Sequence, residues 1–301
     1  MSSETRALCY ALAAVLLWST VATAFKVALQ FVTVSQLMFG ASVFSVIALA
    51  GTLWVRGELR EGLHRFWSDR NAAFRLGLVN PVLYYAVLFE AYDRLPAQVA
   101  QPVNYTWAIT LGLLSVPFLG HKLTRWDLIG MLLGYSGVVF ISLAGKNISG
   151  SLDGFGLFLA LFSTLLWAGY WLLNARDPRP PIIGLFQNFS YALPLLFIWM
   201  MATDGLPALN TWQPWASLAY VGVFEMGITF VFWQLAMHYT NNASRIGTLI
   251  FLSPFISLFL IHFILGEPLQ LMTFGGLGLI IAGLWLQQQM ARREAKPRPQ
   301  S

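Results

Sequence analysis

One cysteine, Cys9, serves the whole chain, so no internal disulfide and no cysteine-based metal cluster is available to it. Charge is scarce too. Asp, Glu, Lys and Arg make up 10% of the residues, against about 25% in a soluble domain. There is no His-Glu-x-x-His run and no phosphate-cradling glycine loop, and the four histidines, His64, His121, His238 and His262, are scattered. These absences argue against a metalloenzyme, against an intramembrane enzyme of known motif and against an ATP-driven pump acting alone. No cofactor and no metal are expected.

What fills the chain instead is apolar surface: 57% of the 301 residues are hydrophobic. Apolar runs of about 20 residues recur from end to end, each long enough to cross a bilayer as a helix. Ten spans are expected, at 7–31, 33–55, 72–92, 96–119, 126–145, 154–174, 182–202, 214–237, 243–265 and 270–289. The longest connection, 56–71, has the look of an amphipathic segment lying on the surface. The tail from residue 291 is basic and expected to be disordered. Arg6, an apolar run and Ala22-Thr23-Ala24 imitate a secretory signal, but the run is too long for one and is read as a retained helix.

Lys and Arg fix the expected orientation. With the N-terminus inside, 15 of the 18 basic residues fall in cytoplasmic segments and two, Arg94 and Lys146, outside, while Lys26 lies within the first span. The positive-inside rule then puts both termini in the cytoplasm. It also accounts for the basic balance without nucleic acid as a partner; the partners expected are the lipid bilayer and a small-molecule substrate. Asn147-Ile148-Ser149 forms a glycosylation triplet on an expected external loop.

The chain repeats itself. At a constant offset, Leu119, Gly120, Leu123, Gly130, Leu133 and Gly137 meet Leu265, Gly266, Leu269, Gly276, Leu279 and Gly283, and Leu16-Leu17-Trp18 meets Leu165-Leu166-Trp167. Two halves of five helices each follow, 1–146 and 147–290, before the tail 291–301. Because five is odd, the second half enters the membrane upside down. An all-α polytopic membrane protein built as two inverted five-helix repeats is the architecture of alternating-access transporters, whose substrate sits near the midplane between the halves. Gene duplication in a structural membrane protein is the other reading.

A span ending in Leu-Gly followed by a glycine-punctuated span, once in each half, resembles the drug/metabolite transporter superfamily in its EamA-type ten-helix branch. In that family the Leu-Gly pair is usually followed by Glu; Gly266-Glu267 keeps this and Gly120-His121 departs from it. The aromatic-rich spans and Pro102-Val103-Asn104-Tyr105-Thr106-Trp107 most resemble the aromatic amino-acid exporters of the YddG kind. The resemblance implies a bacterial inner-membrane exporter of aromatic and other apolar amino acids. A broader drug or metabolite exporter is the alternative.

Polar side chains within the spans are the candidates for a substrate cavity, because hydrocarbon penalises them. In the fourth span Gln98, Gln101, Asn104 and Tyr105 fall within one arc of about 120°, flanked by Trp107. They line a cavity reaching the outer face or bond between helices. In the sixth span Trp167, Tyr170, Trp171 and Asn174 share a face; Trp171 is assigned to the interfacial belt, whereas Trp167 and its repeat partner Trp18 are cavity candidates. The third span adds Asn80, Tyr84 and Tyr85, and the seventh adds Gln187, Asn188 and Tyr191. Aromatic walls hold a flat apolar side chain and meet an ammonium through cation–π contact. Lys26 and Glu90 either snorkel or pair across the first and third helices. Glycine-rich faces mark the fifth and tenth spans as packing helices. Pro102, Pro117, Pro194 and Pro254 lie within spans, where proline bends a helix.

Glu225 sits alone in an otherwise apolar stretch of the eighth span, with Thr229 and Phe232 on its face by α-helical spacing. Three roles stay open for it: binding a substrate ammonium, carrying a proton, or pairing structurally with a neighbouring donor.

Overall fold

The structure is a computed structural model that describes residues 2–119, 125–149, 151, 153–208, 210–240, 246 and 249–294. Among these residues the ordered elements are all helices. Six segments are each long and apolar enough to cross a membrane: Ser3–Ala28, Val34–Val55, Arg70–Arg94, Gly154–Asn174, Pro181–Thr203 and Trp212–Tyr239. They match expected spans one to three and six to eight. The fourth is split into Ala97–Tyr105 and Trp107–Leu119. The fifth is Arg125–Ser149 and the tenth Leu271–Glu294. The ninth is a succession of short helical pieces, Leu249–Leu252, Ser253–Leu260 and Ile261–Leu265.

Local chemistry sets the boundaries. Thr33 and Gln36 form a reciprocal capping box at the start of the second span. Asp153 caps the sixth by accepting the Gly156 N–H at 2.9 Å, and that bond, with Arg94 beside it, holds its carboxyl below the ordinary aspartate range. The 56–71 connection lies against the bundle: it carries the helix Leu59–His64, and the Tyr191 hydroxyl donates to the Phe66 carbonyl at 2.8 Å while their rings stack. Two expectations change at helix ends. Arg125–Ser149 runs helically through the 147–149 triplet, which is therefore not on a loop. The last helix continues to Glu294, past the expected start of the tail. Gly120-His121, Arg245 and the tail from 295 lie outside the described residues.

The helix pairings carry the signature of an inverted repeat. The first span packs along the eighth, and the sixth, its counterpart, packs along the third. The second meets the eighth as the seventh meets the third, and the first meets the ninth as the sixth meets the fourth. The second and seventh pair with each other, as do the fifth and tenth. Each contact thus has its twin under a pseudo-two-fold axis. The fifth–tenth pair is the most extensive of all. A side-chain carbon at Gly283 would stand 2.3 Å from the Gly130 carbonyl oxygen, and one at Gly137 2.4 Å from that of Gly276. These two helices touch backbone to backbone, as small-residue membrane interfaces do.

The central spans are broken. The first is interrupted at Thr20, between the helices Ser3–Ser19 and Val21–Ala28. The third carries a wide π-helical turn at Leu78–Leu83, inside which Asn80 leaves helical geometry altogether (φ −139, ψ 111). The eighth carries a π-helical turn at Val221–Ile228. Third and eighth are counterparts, so the same span is widened in each half, and the ninth adds a further π-helical turn at Ile261–Leu265. Wide turns of this kind concentrate at functional sites, and interrupted helices in matching positions are the mark of a transporter's binding region.

Candidate functional site

The breaks gather an aromatic cluster at the centre. Trp167 stacks on Tyr84 at 4.4 Å between ring centroids and on Tyr170 at 5.4 Å, and meets Trp107, Trp171 and Phe230 edge-on. Trp18 meets the same Phe230 at 5.5 Å and Trp233 at 5.5 Å. The two repeat-matched tryptophans are therefore joined by one ring from the second half. Tyr85 lies against Tyr84. Trp171, expected in the interfacial belt, is part of this cluster, stacked on Trp107 at 6.4 Å.

Phe230 was not among the sequence candidates, and Phe232, which was placed beside Glu225, turns away to Tyr10. The cause is the π-helical turn. One extra residue in a turn rotates everything after it by about 100°, so α-helical spacing counted from Glu225 assigns the wrong face. Thr229 is buried, but its hydroxyl donates to the Phe224 carbonyl within that turn.

Glu225 itself is 1% exposed. The Thr20 hydroxyl, in the break of the first span, donates to its Oε1 at 2.7 Å, and the Tyr220 hydroxyl lies 2.8 Å from the Thr20 oxygen. Thr20 has one proton and two acceptors for it, Glu225 and the Leu17 carbonyl at 2.7 Å; when the proton goes to Glu225, Tyr220 is placed to donate to Thr20 in turn. The other oxygen, Oε2, has no hydrogen-bond partner among the described residues. Gly222, one turn earlier, lets the eighth span reach the second: a side-chain carbon there would sit 2.2 Å from the Ala41 carbonyl oxygen.

The fourth span's polar stripe divides. Gln98 is fully buried beneath the second half, its amide donating to Glu267 at 3.2 Å and to the Pro268 carbonyl at 3.0 Å. Asn104 donates to Ser163 at 2.9 Å and Tyr105 to Ser253 at 2.8 Å. Gln101, at 1% exposure, has no partner for either end of its amide among the described residues. Gln187 and Asn188 accept from Arg179 at 2.9 and 2.8 Å, and Gln187 donates to the Gly62 carbonyl. Tyr191 is spent on Phe66, outside the cluster.

Two charged residues were missed as site elements. Arg179, counted as a surface charge, is 5% exposed and paired with Asp177 at 2.7 Å; nothing in its sequence neighbourhood distinguishes it from the other loop arginines. Glu267 accepts from the backbone N–H groups of Ala97 and Gln98 at 2.8 and 3.2 Å, capping the fourth span of the other half. Lys26 donates to the carbonyls of Tyr92 and Leu95 at 2.8 and 3.2 Å, at the preceding helix's C-terminus, rather than pairing with Glu90, which binds Arg94. The hairpin at 95–98 is thus held by a cation at one helix end and an anion at the next, each on the dipole that favours it. Glu267→Ala is expected to lower stability by about 1 kcal/mol, the cost of a lost cap, read as a drop in the melting temperature of the purified protein; an unchanged melting curve would show the clasp to be idle.

Comparison with known proteins decides the family. Residues 5–143 and again 154–287 match the EamA-like transporter family. The chain belongs to the EamA-like transporter family. The two EamA-like matches fall one on each half of the pseudo-symmetric bundle, and membership makes the protein a multi-pass membrane transporter. It is 29% identical over 213 residues to the uncharacterized transporter YvbV of Bacillus subtilis, covering 69% of this chain and 68% of that one. It is 24% identical to protein PecM of Dickeya dadantii, over 93% of each chain. It is also 24% identical to the aromatic amino acid exporter YddG of Ancylobacter novellus, over 82% of this chain and 85% of the other. One crystal structure superposes with a TM-score of 0.65 at 21% identity, covering 97% of this chain and 99% of its own, a likeness of fold alone.

Proposed function

We propose that this EamA-like protein exports amino acids with aromatic and other apolar side chains across a bacterial inner membrane, by alternating access between its two halves and with both termini in the cytoplasm. The observation that carries the reading is the union of Trp18 and Trp167 on Phe230, on the same span as a buried carboxylate with one free oxygen. A stacked aromatic wall suits a flat apolar side chain. The Glu225 carboxylate suits its ammonium or a coupled proton. The likeness to an aromatic amino acid exporter points the same way. The orientation rests on the excess of Lys and Arg in the segments assigned to the cytoplasm.

Trp18→Ala and Trp167→Ala test it. Each is expected to weaken an aromatic substrate by about 0.5–1.5 kcal/mol beyond the area lost, raising half-saturation in liposome uptake while membrane expression stays normal. Glycine, which has no side chain to stack, should be indifferent to both. Unchanged half-saturation and rate for phenylalanine in both variants would take the tryptophans out of the cavity.

A further inference from the structure

The π-helical turns of the third and eighth spans carry Asn80 and Glu225, one in each half, and Asn80 brings a donor where the Glu225 carboxylate brings acceptors. Glu225 is an acceptor, buried, with Oε2 unpartnered. Asn80 is fully buried with both amide ends unpartnered among the described residues. Asn80 offers a free donor and a free acceptor, and the free group next to it is a second donor. Asn188, 1% exposed, gives its oxygen to Arg179 at 2.8 Å, which leaves its amide nitrogen as the unpartnered end. The Tyr170 hydroxyl is within hydrogen-bonding reach of both asparagine side chains. The backbone adds to this. The chain leaves helical geometry at Asn80 and resumes with Pro81, so the helix that runs on to Arg94 turns its N-terminus toward the break. A helix N-terminus carries a partial positive charge and favours an anion. Buried amides are normally satisfied; these two make no bond of ordinary geometry at their free ends among the described residues, Tyr170 being the group in reach, and so can take a ligand group.

We propose that the break at Asn80 is a second polar station on the transport path and that it receives the carboxylate of the substrate, through the amide nitrogens of Asn80 and Asn188. Glu225, at the counterpart break, receives the ammonium. The pair of stations fits a zwitterion and disfavours a simple amine or a simple acid, each of which meets only one of them. Arg179 is a positioning residue here: held by Asp177 and Gln187, it fixes the Asn188 oxygen and so leaves the nitrogen as the free end. This rests on the reading of the protein as an amino-acid exporter.

The test compares phenylalanine with phenethylamine, which is the same molecule without its carboxylate, for binding to the purified full-length chain and for counterflow in liposomes. Asn80→Asp sets a carboxylate against a carboxylate. It is expected to weaken phenylalanine by about tenfold or more, as like charges brought together do, while phenethylamine is held as well as by the parent or better. Asn80→Ala, which removes the donor without adding charge, should move phenylalanine in the same direction by a smaller factor and serves if the Asp variant does not fold. Phenylalanine unaffected by both substitutions, or both ligands weakened alike in a monodisperse variant, would overturn the carboxylate station while leaving the exporter reading intact. A parent protein that neither binds nor carries phenylalanine or any other amino acid would overturn the exporter reading, and the station with it.

Discussion

Gly283→Val is expected to abolish the folded protein. At this position the added carbon meets the Gly130 carbonyl oxygen at 2.3 Å and the Gly134 amide nitrogen at 3.1 Å. Both obstacles are backbone, which has no rotamer to escape into, so the fifth and tenth helices must separate along their length. Overpacking a core ordinarily costs about 1–3 kcal/mol; forcing apart the bundle's most extensive helix pair should exceed that and take most of a stability of about 5–15 kcal/mol. Gly278→Val is the matched control, because an added carbon there meets nothing within 4 Å. The expected result is parental yield and a monodisperse profile for valine at 278, and aggregation for valine at 283. Equal yields would mean that the glycine seam does not hold these helices together.

Glu225→Gln is the second large effect. The amide keeps the shape of the acid and still offers an oxygen to the Thr20 hydroxyl, so the fold should survive. A charge at this depth is costly, about 2.5–3.5 kcal/mol on insertion scales, and is kept where it has a use. If the carboxylate binds an ammonium or passes a proton, removing its charge should lower liposome transport by about tenfold or more, the scale of a lost charged contact, or flatten a pH dependence that the parent shows. Glu225→Leu is different in kind. It removes one acceptor of the Thr20 hydroxyl, which is left with the Leu17 carbonyl alone, and should lower thermal stability as well. A Gln variant that transports like the parent at every pH would reduce Glu225 to a structural acid.

Much of the fold was legible because a bilayer simplifies the code. Apolar length locates spans, and a constant offset between glycine and leucine patterns exposes the duplication before any contact is known. The glycine seam was legible for the same reason: Gly130, Gly137, Gly276 and Gly283 fall on helical faces by plain spacing. The site was legible only in part. Trp18 and Trp167 were found through their repeat match, and Glu225 through its isolation. Phe230 was missed because helical counting presumes 3.6 residues per turn, and the turn at Val221–Ile228 does not obey it. Arg179 was missed because burial of a loop arginine depends on Asp177, Gln187 and Asn188 closing around it, which no local pattern announces. The role of Glu267 needed the partner half, since the helix it caps begins 170 residues earlier in the chain.

The most direct measurement is counterflow. Liposomes holding the purified chain are loaded with one unlabelled amino acid and exposed outside to a trace of labelled phenylalanine. An aromatic exporter should accumulate label transiently when loaded with phenylalanine, tyrosine, tryptophan or leucine, and not when loaded with aspartate or lysine. Transient accumulation that ignores the identity of the loaded amino acid, or none with any of them, would contradict the account.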